Sequence, residues 1–403
     1  MLNKLDNVLY YAHKKVPFYK DIDIECFNDI PIVTKKLIKE NYELFLSSDI
    51  EERERVLAYL YGDFKINNYV IESKIADNII LEWTTGTSGV PFKCIKSIKE
   101  RKQIALNMWK YRMKVDKKII STSFYPMIHT GNNTIGFDIR DYSRNNIESL
   151  YSYIKKNNIV CIHTTPNLIK RHIEKSGVPL SFFKNIVPYI EMTGNFLSVT
   201  DKEYIEKVFE AKILNLYGLI EVWGIAYGIS DKGFDIMNDN VKLELLDENH
   251  NIIEQEEVEG DIVVTSLNQY LMPFIRYSTG DRGKYIKGTH RNRILLCKDR
   301  NINMLNLENK RISGTEFAKK ILRKIYWKKD FPDIKLICIV FNKKEFFFVL
   351  NVIKHKEVFE KIAHEIIVKE IGEKYNIKFT YVTEKEFEHI NPKHYIFLER
   401  QVP

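Results

Sequence analysis

The stretch Leu81–Lys93 reads LEWTTGTSGVPFK, and its interpretation decides how the rest of the chain is understood. Ile79, Ile80 and Leu81 form an apolar approach that suits a short strand. Thr84, Thr85, Gly86, Thr87, Ser88 and Gly89 follow as six small residues in a row, closed by Pro91. Glycines let a backbone turn tightly and come close to a ligand. Successive amide N–H groups and hydroxyls in such a loop form a concave anion site. The segment is therefore a candidate phosphate cradle, although it lacks the G-x-x-x-x-G-K-[ST] pattern of the common phosphate loop. The plain alternative is a polar turn between two strands.

A chain of 403 residues has room for two or more domains and a self-sufficient core. With 44% hydrophobic and 29% charged residues, its composition is that of an ordinary globular protein. The net charge of +8 is spread along the sequence rather than gathered into a basic stripe, which argues against a nucleic-acid partner. Cys26, Cys94, Cys161, Cys297 and Cys338 show neither metal-ligand nor C-x-x-C spacing, as expected of free thiols in a reducing cytoplasm. Met1–Tyr10 is interrupted by Lys4, Asp6 and Asn7, unlike a signal peptide, and no run approaches the length of a membrane span.

Periodicity predicts helices over Leu2–Lys15, Lys99–Lys114, Ile147–Lys156 and Asp201–Phe209, with Thr34 capping a short helix through Glu40. Leu57–Ile80 reads as extended and turn structure. Strands are expected at Ile119–Met127, Ile159–His163 and Lys212–Leu216, with loops at His129–Asn132 and Glu191–Leu197. This alternation predicts an α/β architecture with a mainly parallel sheet. Val241–Leu246 and Gly260–Ser266 read instead as antiparallel partners. From about Asn301 the texture changes to a small α+β unit, with helices at Thr315–Trp327 and Glu357–Ile371 and a hairpin at Leu336–Phe341 and Glu345–Val352.

Two further stretches carry candidate chemistry. Leu214–Tyr227, LNLYGLIEVWGIAY, delivers Tyr217, Gly218 and Glu221 at a strand end, where ligands of α/β sheets bind. Tyr217 suits stacking on a base and Glu221 suits a Mg²⁺ carried on phosphates. The alternatives are a core tyrosine and a surface glutamate. Ile275–Gly283, IRYSTGDRG, places the Asp281 carboxylate after a glycine turn, able to accept from two ribose hydroxyls or simply to close a Gly-Asp turn.

Taken in order, AHKKVPFYK, IPIVTKKLI, WTTGTSGVPF, HTTPNLIKRH, EMTGN, LYGLIEVWG, YSTGDRG, DRNINML and PKHY resemble the adenylate-forming acyl/aryl-CoA synthetase superfamily. Within it they are most similar to the phenylacetate–CoA ligase and CapK-like branch. The resemblance implies a large multi-sheet N-terminal adenylation domain over residues 1–299 and a small, mobile α+β lid over 300–403. It implies ATP-dependent activation of a small-molecule carboxylic acid to an acyl-adenylate, with pyrophosphate released. The acyl group then passes to an acceptor, CoA thiol ahead of an amine such as an amino sugar. A degenerate nucleotide-binding member without turnover is the other alternative. ATP and Mg²⁺ are the implied cofactors, with CoA as a further one, and a homodimer is compatible with the family.

Carried over by position, Thr84, Thr85, Gly86, Thr87, Ser88 and Gly89 match the phosphate loop. Tyr217, Gly218 and Asn195 match the adenine side, Glu221 the Mg²⁺ ligand and Asp281 the ribose ligand. Arg300 matches the basic hinge residue and Lys393 the adenylation lysine. His129, Thr193, Gly194 and Trp223 are the implied lining of the acid pocket, pointing to an aromatic or small apolar acid. The chain departs from the pattern at Ile220, where the family has Thr, at Asn301–Asn303 in the hinge, and at Pro392, where the family has Gly.

Overall fold

The computed structural model describes residues 3–62, 72–84, 92–117, 119, 121–124, 128–130, 133–135, 141–194, 197, 199–230, 233–300, 304–307, 310–313, 317, 320–321, 336–341, 345–350, 356–383 and 398–400. The chain divides into two compact units, Met1–Thr279 with Gly283–Leu296, and Gly280–Arg282 with Cys297–Pro403.

The architecture is mixed α/β, built on a twelve-stranded sheet. At its centre Ser121–Phe124, Cys161–Thr164, Tyr189–Met192 and Lys212–Tyr217 run parallel. Parallel neighbours need crossover connections, and helices Arg144–Lys156, Pro166–Lys175 and Val199–Phe209 lie between the strands in sequence. Alternation along each strand sends side chains to opposite faces. Ile162, Ile190 and Ile213 pack into one core with Ile147, Ile169 and Ile205 from those helices. Cys161, Leu214 and Leu216 belong to another core with Met108 and Trp109 of helix Ile98–Val115. That helix starts where the sequence says it should. Ser97 accepts from the Glu100 N–H while Glu100 reaches back to the Ser97 N–H, a capping box.

Beyond Lys212–Tyr217 the sheet turns antiparallel through Ala226–Ser230 and Gly233–Ile236. Val241–Leu246 and Glu259–Ser266 pair in register, as predicted. A separate three-stranded antiparallel sheet, Glu72–Ala76, Ile79–Trp83 and Lys93–Ser97, carries the Thr/Gly stretch at the far end of its second hairpin.

Several local expectations are corrected. Residues 57–61 are helical, within Arg53–Tyr61, because Val56 and Leu60 bury one face at i,i+4 spacing. His129 lies in a short strand, Ile128–Thr130, rather than a loop, because an existing strand offers it an antiparallel partner. Glu191 lies inside Tyr189–Met192, not in the loop after it. Asp281 follows no turn. It sits within strand Tyr277–Tyr285, where Gly280 takes a positive φ of 76°.

The second unit contains a four-stranded sheet in the order Asn376–Tyr381, Glu345–Leu350, Leu336–Phe341, Leu398–Arg400. Helix Lys356–Ile371 buries Phe359, Ile362, Ala363, Ile366 and Ile367 in a core with Phe346, Phe348 and Leu350. The helix expected from Thr315 to Trp327 lies largely outside the described residues. No described helix is long and apolar enough to cross a membrane.

Candidate active site

The Thr/Gly stretch is anchored at both flanks. Trp83 pairs with Lys93 at the end of the hairpin. One step further, the Thr84 N–H donates to the Phe92 carbonyl at 2.9 Å, and the Phe92 N–H donates to Thr84 Oγ1 at 3.2 Å. Tyr42 Oη accepts the Lys93 N–H at 3.1 Å, tying this neck to the N-terminal helices. Thr85, Gly86, Thr87, Ser88 and Gly89 themselves lie outside the described residues, as do Asn195 and Lys393.

Glu221 is brought to the same place by a tight loop after strand Lys212–Tyr217. The Leu219 N–H donates to the Val222 carbonyl and the Ile225 N–H to the Tyr217 carbonyl, each at 2.9 Å. Gly218 is required here, since a Cβ would sit 2.9 Å from the Gly224 nitrogen. The Glu221 carboxylate is buried. Its Oε1 accepts from Tyr277 Oη at 3.0 Å and lies 2.6 Å from Lys35 Nζ. Gln269 Nε2 holds the Glu221 carbonyl at 2.9 Å.

Lys35 is a charged neighbour of Glu221 that the sequence pattern did not single out. It opens helix Lys35–Glu40, whose N-cap Thr34 accepts the Leu37 N–H. The preceding Val33 donates its N–H to the Arg276 carbonyl and accepts the Ser278 N–H at 2.9 Å, which sets Lys35 beside Tyr277. Lys35 Nζ also lies 5.1 Å from the centre of the Phe92 ring. One half-exposed ammonium thus adjoins both the strand-end carboxylate and the neck of the Thr/Gly stretch. The signal available in sequence was only the Thr-Lys pair at a helix start.

Beneath this loop lies a buried ionic cluster. Lys96 Nζ donates to Glu82 Oε2 and to the Ile220 carbonyl, both at 2.6 Å. Arg101 Nε pairs with Glu82 Oε1 at 3.2 Å. Trp223 is clasped by these cations, with Arg101 at 4.8 Å and Lys96 at 5.2 Å from its ring centre. Burial opposes the Lys96 charge, yet the neighbouring Cys94, Glu82 and Glu221 hold the ammonium above the ordinary lysine value. Burial pushes the Cys94 thiol up to about 12.

The remaining predicted residues are placed as follows. Tyr217 is buried, its ring edge-on to Phe234 with centroids 6.5 Å apart. Thr193 Oγ1 donates to the Leu216 carbonyl at 3.2 Å and its N–H to the Thr164 carbonyl at 2.9 Å, so Thr193 and Gly194 lie by the ends of neighbouring parallel strands. Asp281 belongs to the second unit. Arg300 and His129 are described by backbone alone, in strands Arg293–Arg300 and Ile128–Thr130.

Among the described residues no three His, Cys, Asp or Glu side chains cluster to hold a metal ion. Magnesium that travels on phosphates asks for only one or two protein carboxylates. Glu221 fits that role if Lys35 yields its place.

No family model and no curated protein matches this sequence. Solved structures do match. An open conformation of 2-hydroxyisobutyryl-CoA ligase, in complex with 2-HIB-AMP and CoA, superposes with a TM-score of 0.57 at 14% identity, covering 94% of this chain and 86% of that one. The same ligase in its postadenylation state with 2-HIB-AMP gives 0.57 at 14% identity over 99% and 88%. Its thioesterification state gives 0.51 at 15% identity over 99% and 88%. At such identities the likeness establishes a shared fold.

Proposed function

We propose that this chain is an AMP-forming carboxylate ligase. The observation that carries the reading is the convergence of Glu221, Lys35 and the neck of the Thr/Gly stretch at the carboxyl end of a parallel strand. Similarity of nearly the whole chain to a ligase crystallised with an acyl-adenylate supports it.

In this proposal a carboxylate oxygen of the acid attacks the α-phosphorus of ATP, the bond to pyrophosphate breaks, and the acyl-adenylate forms. Thr84 through Gly89 surround the outer phosphates with N–H and hydroxyl donors. Lys35, released from Glu221, supplies a cation beside them. Glu221 would be the residue to hold a Mg²⁺ carried on the nucleotide, and that ion would supply neutralisation of phosphate charge. Tyr217, Gly218 and Asn195 border the adenine, and Asp281 and Arg300 serve the ribose. Lys393 offsets charge as the acid meets phosphorus. His129, Thr193, Gly194 and Trp223 bound the acid. Residues 1–299 act as the adenylation domain and 300–403 as the lid. A CoA thiol, or an amine, then attacks the acyl carbon and AMP leaves.

Acid-dependent ATP–pyrophosphate exchange tests this. A panel of aryl, short acyl, hydroxy and amino acids is run with wild type, Glu221→Gln, Asp281→Ala and Lys393→Ala. Exchange that depends on one class of acid and falls at least about tenfold in each variant supports the proposal. Release of ADP, or no exchange with any acid, overturns it.

A further inference from the structure

A second buried constellation sits at the same end of the sheet, outside the nucleotide groups. Glu191 is wholly buried in the middle of the parallel strands. Its carboxylate takes Arg112 as a fork, Nε to Oε2 at 2.8 Å and Nη2 to Oε1 at 2.6 Å. Tyr227 Oη donates to Oε2 at 2.8 Å. His163 Nδ1 lies 2.7 Å from Oε1.

A buried carboxylate costs several kcal/mol unless every lone pair is served. Arg112 and Tyr227 already neutralise and bind Glu191, so holding the charge does not by itself require a histidine. What Glu191 does for His163 is more definite. A carboxylate in this setting can only accept, so Nδ1 carries a proton, and in the neutral form of the ring Nε2 is the nitrogen left as an acceptor.

His163 is also the most exposed member of this group. Its side chain is 23% exposed, while Glu191 is fully enclosed. It occupies the last residue but one of strand Cys161–Thr164, level with Glu191 on the adjoining strand. The carbonyl of its neighbour Thr164 accepts the Thr193 N–H, so residue 163 stands one position from the strand end that meets the turn proposed to bound the acid. Carboxyl ends of parallel strands are where α/β sheets bind ligands.

We propose that His163 is a specificity-determining residue whose Nε2 accepts a hydrogen bond from the substrate acid, selecting an acid that carries a hydroxyl or amino group. Glu191, with Arg112 and Tyr227, is the positioning group that fixes the ring. The inference rests on the carboxylate-ligase reading for the identity of the site. It departs from the aromatic or apolar acid implied by resemblance, since an apolar acid leaves Nε2 unpaired.

The test separates the two readings. Full-length protein labelled with ¹⁵N-histidine is titrated, without ATP, with hydroxy and amino acids and with their unsubstituted parents. The His163 signal is assigned by its loss in His163→Gln. The proposal expects the Nδ1–H tautomer, and an Nε2 shift on adding a substituted acid that the parent acid does not produce. It also expects that Glu191→Gln frees the tautomer. The Nε2–H tautomer, or an Nε2 signal that answers neither class of acid, overturns it, whatever the exchange assay gives. Where exchange is active, His163→Phe lowers the preference for substituted over parent acid by at least about tenfold. Comparing two acids on one preparation cancels any loss of folded protein. An unchanged ratio also overturns the proposal.

Discussion

Lys35 Nζ lies 2.6 Å from Glu221 Oε1, joining the first turn of an N-terminal helix to the end of a central strand. The carboxylate is buried and the ammonium half exposed. Removing either partner therefore has unequal consequences. Lys35→Met leaves a buried carboxylate with Tyr277 as its donor among the described residues. Loss of one partner of a fully buried pair costs about 3–5 kcal/mol, and solvent at Lys35 reduces this to about 1–2. Glu221→Gln, which leaves a solvated lysine, costs less. Urea unfolding of the singles and the double variant checks this. The expected coupling is about 1 kcal/mol, and strict additivity contradicts it.

Lys96 has no solvent to fall back on. Its ammonium serves Glu82 and the Ile220 carbonyl at 2.6 Å each. Lys96→Met takes the nearer cation from the buried Glu82 carboxylate, which keeps Arg101 at 3.2 Å, and frees the loop that carries Glu221. A loss of about 3–5 kcal/mol is expected, partly recovered in Lys96→Met/Glu82→Gln. Thermal unfolding of the pair against the single variant decides it, and a double variant less stable than the single one refutes it.

Glu191 makes stability depend on pH in a direction that can be worked out. Burial opposes its charge, but the Arg112 guanidinium and His163 outweigh that and hold the carboxyl well below the usual glutamate value of 4.5. In the folded state it therefore releases its proton more readily than in the unfolded chain. Its stabilising contribution is complete above the unfolded value and is lost as pH falls through the window below about 4.5. The stability gap between wild type and Glu191→Gln is expected to be constant near neutrality and to narrow in acid. A gap that stays constant through that window contradicts the assignment.

Gly218→Ala tests the tight loop. The added methyl would stand 2.9 Å from a backbone nitrogen, which cannot move without the loop. A cost of about 1–3 kcal/mol is expected, with nucleotide-dependent activity lost before the fold. Circular dichroism and exchange activity measured on the same samples separate the two effects.

Much of the architecture is written locally. The apolar strands Cys161–Thr164, Tyr189–Met192 and Lys212–Tyr217, alternating with helices, already specify the parallel centre of a sheet whose flanks are antiparallel, and Ser97 with Glu100 marks a helix start. Such signals are short in range, because periodicity and capping depend on residues three or four apart. Thr84, Gly218 and Glu221 could be singled out because their types and spacing are unusual by themselves. Lys35, Lys96 and Glu191 could not. Each looks like any surface charge, in a chain with 62 basic and 54 acidic residues. Arg112 meets Glu191 across 79 positions, and Lys96 meets Ile220 across 124. Whether a charge is solvated or buried depends on which distant strand or helix the folded sheet sets against it. Sequence alone therefore determined where the chain turns, coils and extends, while only tertiary packing decided which of its many charges were taken out of water and paired.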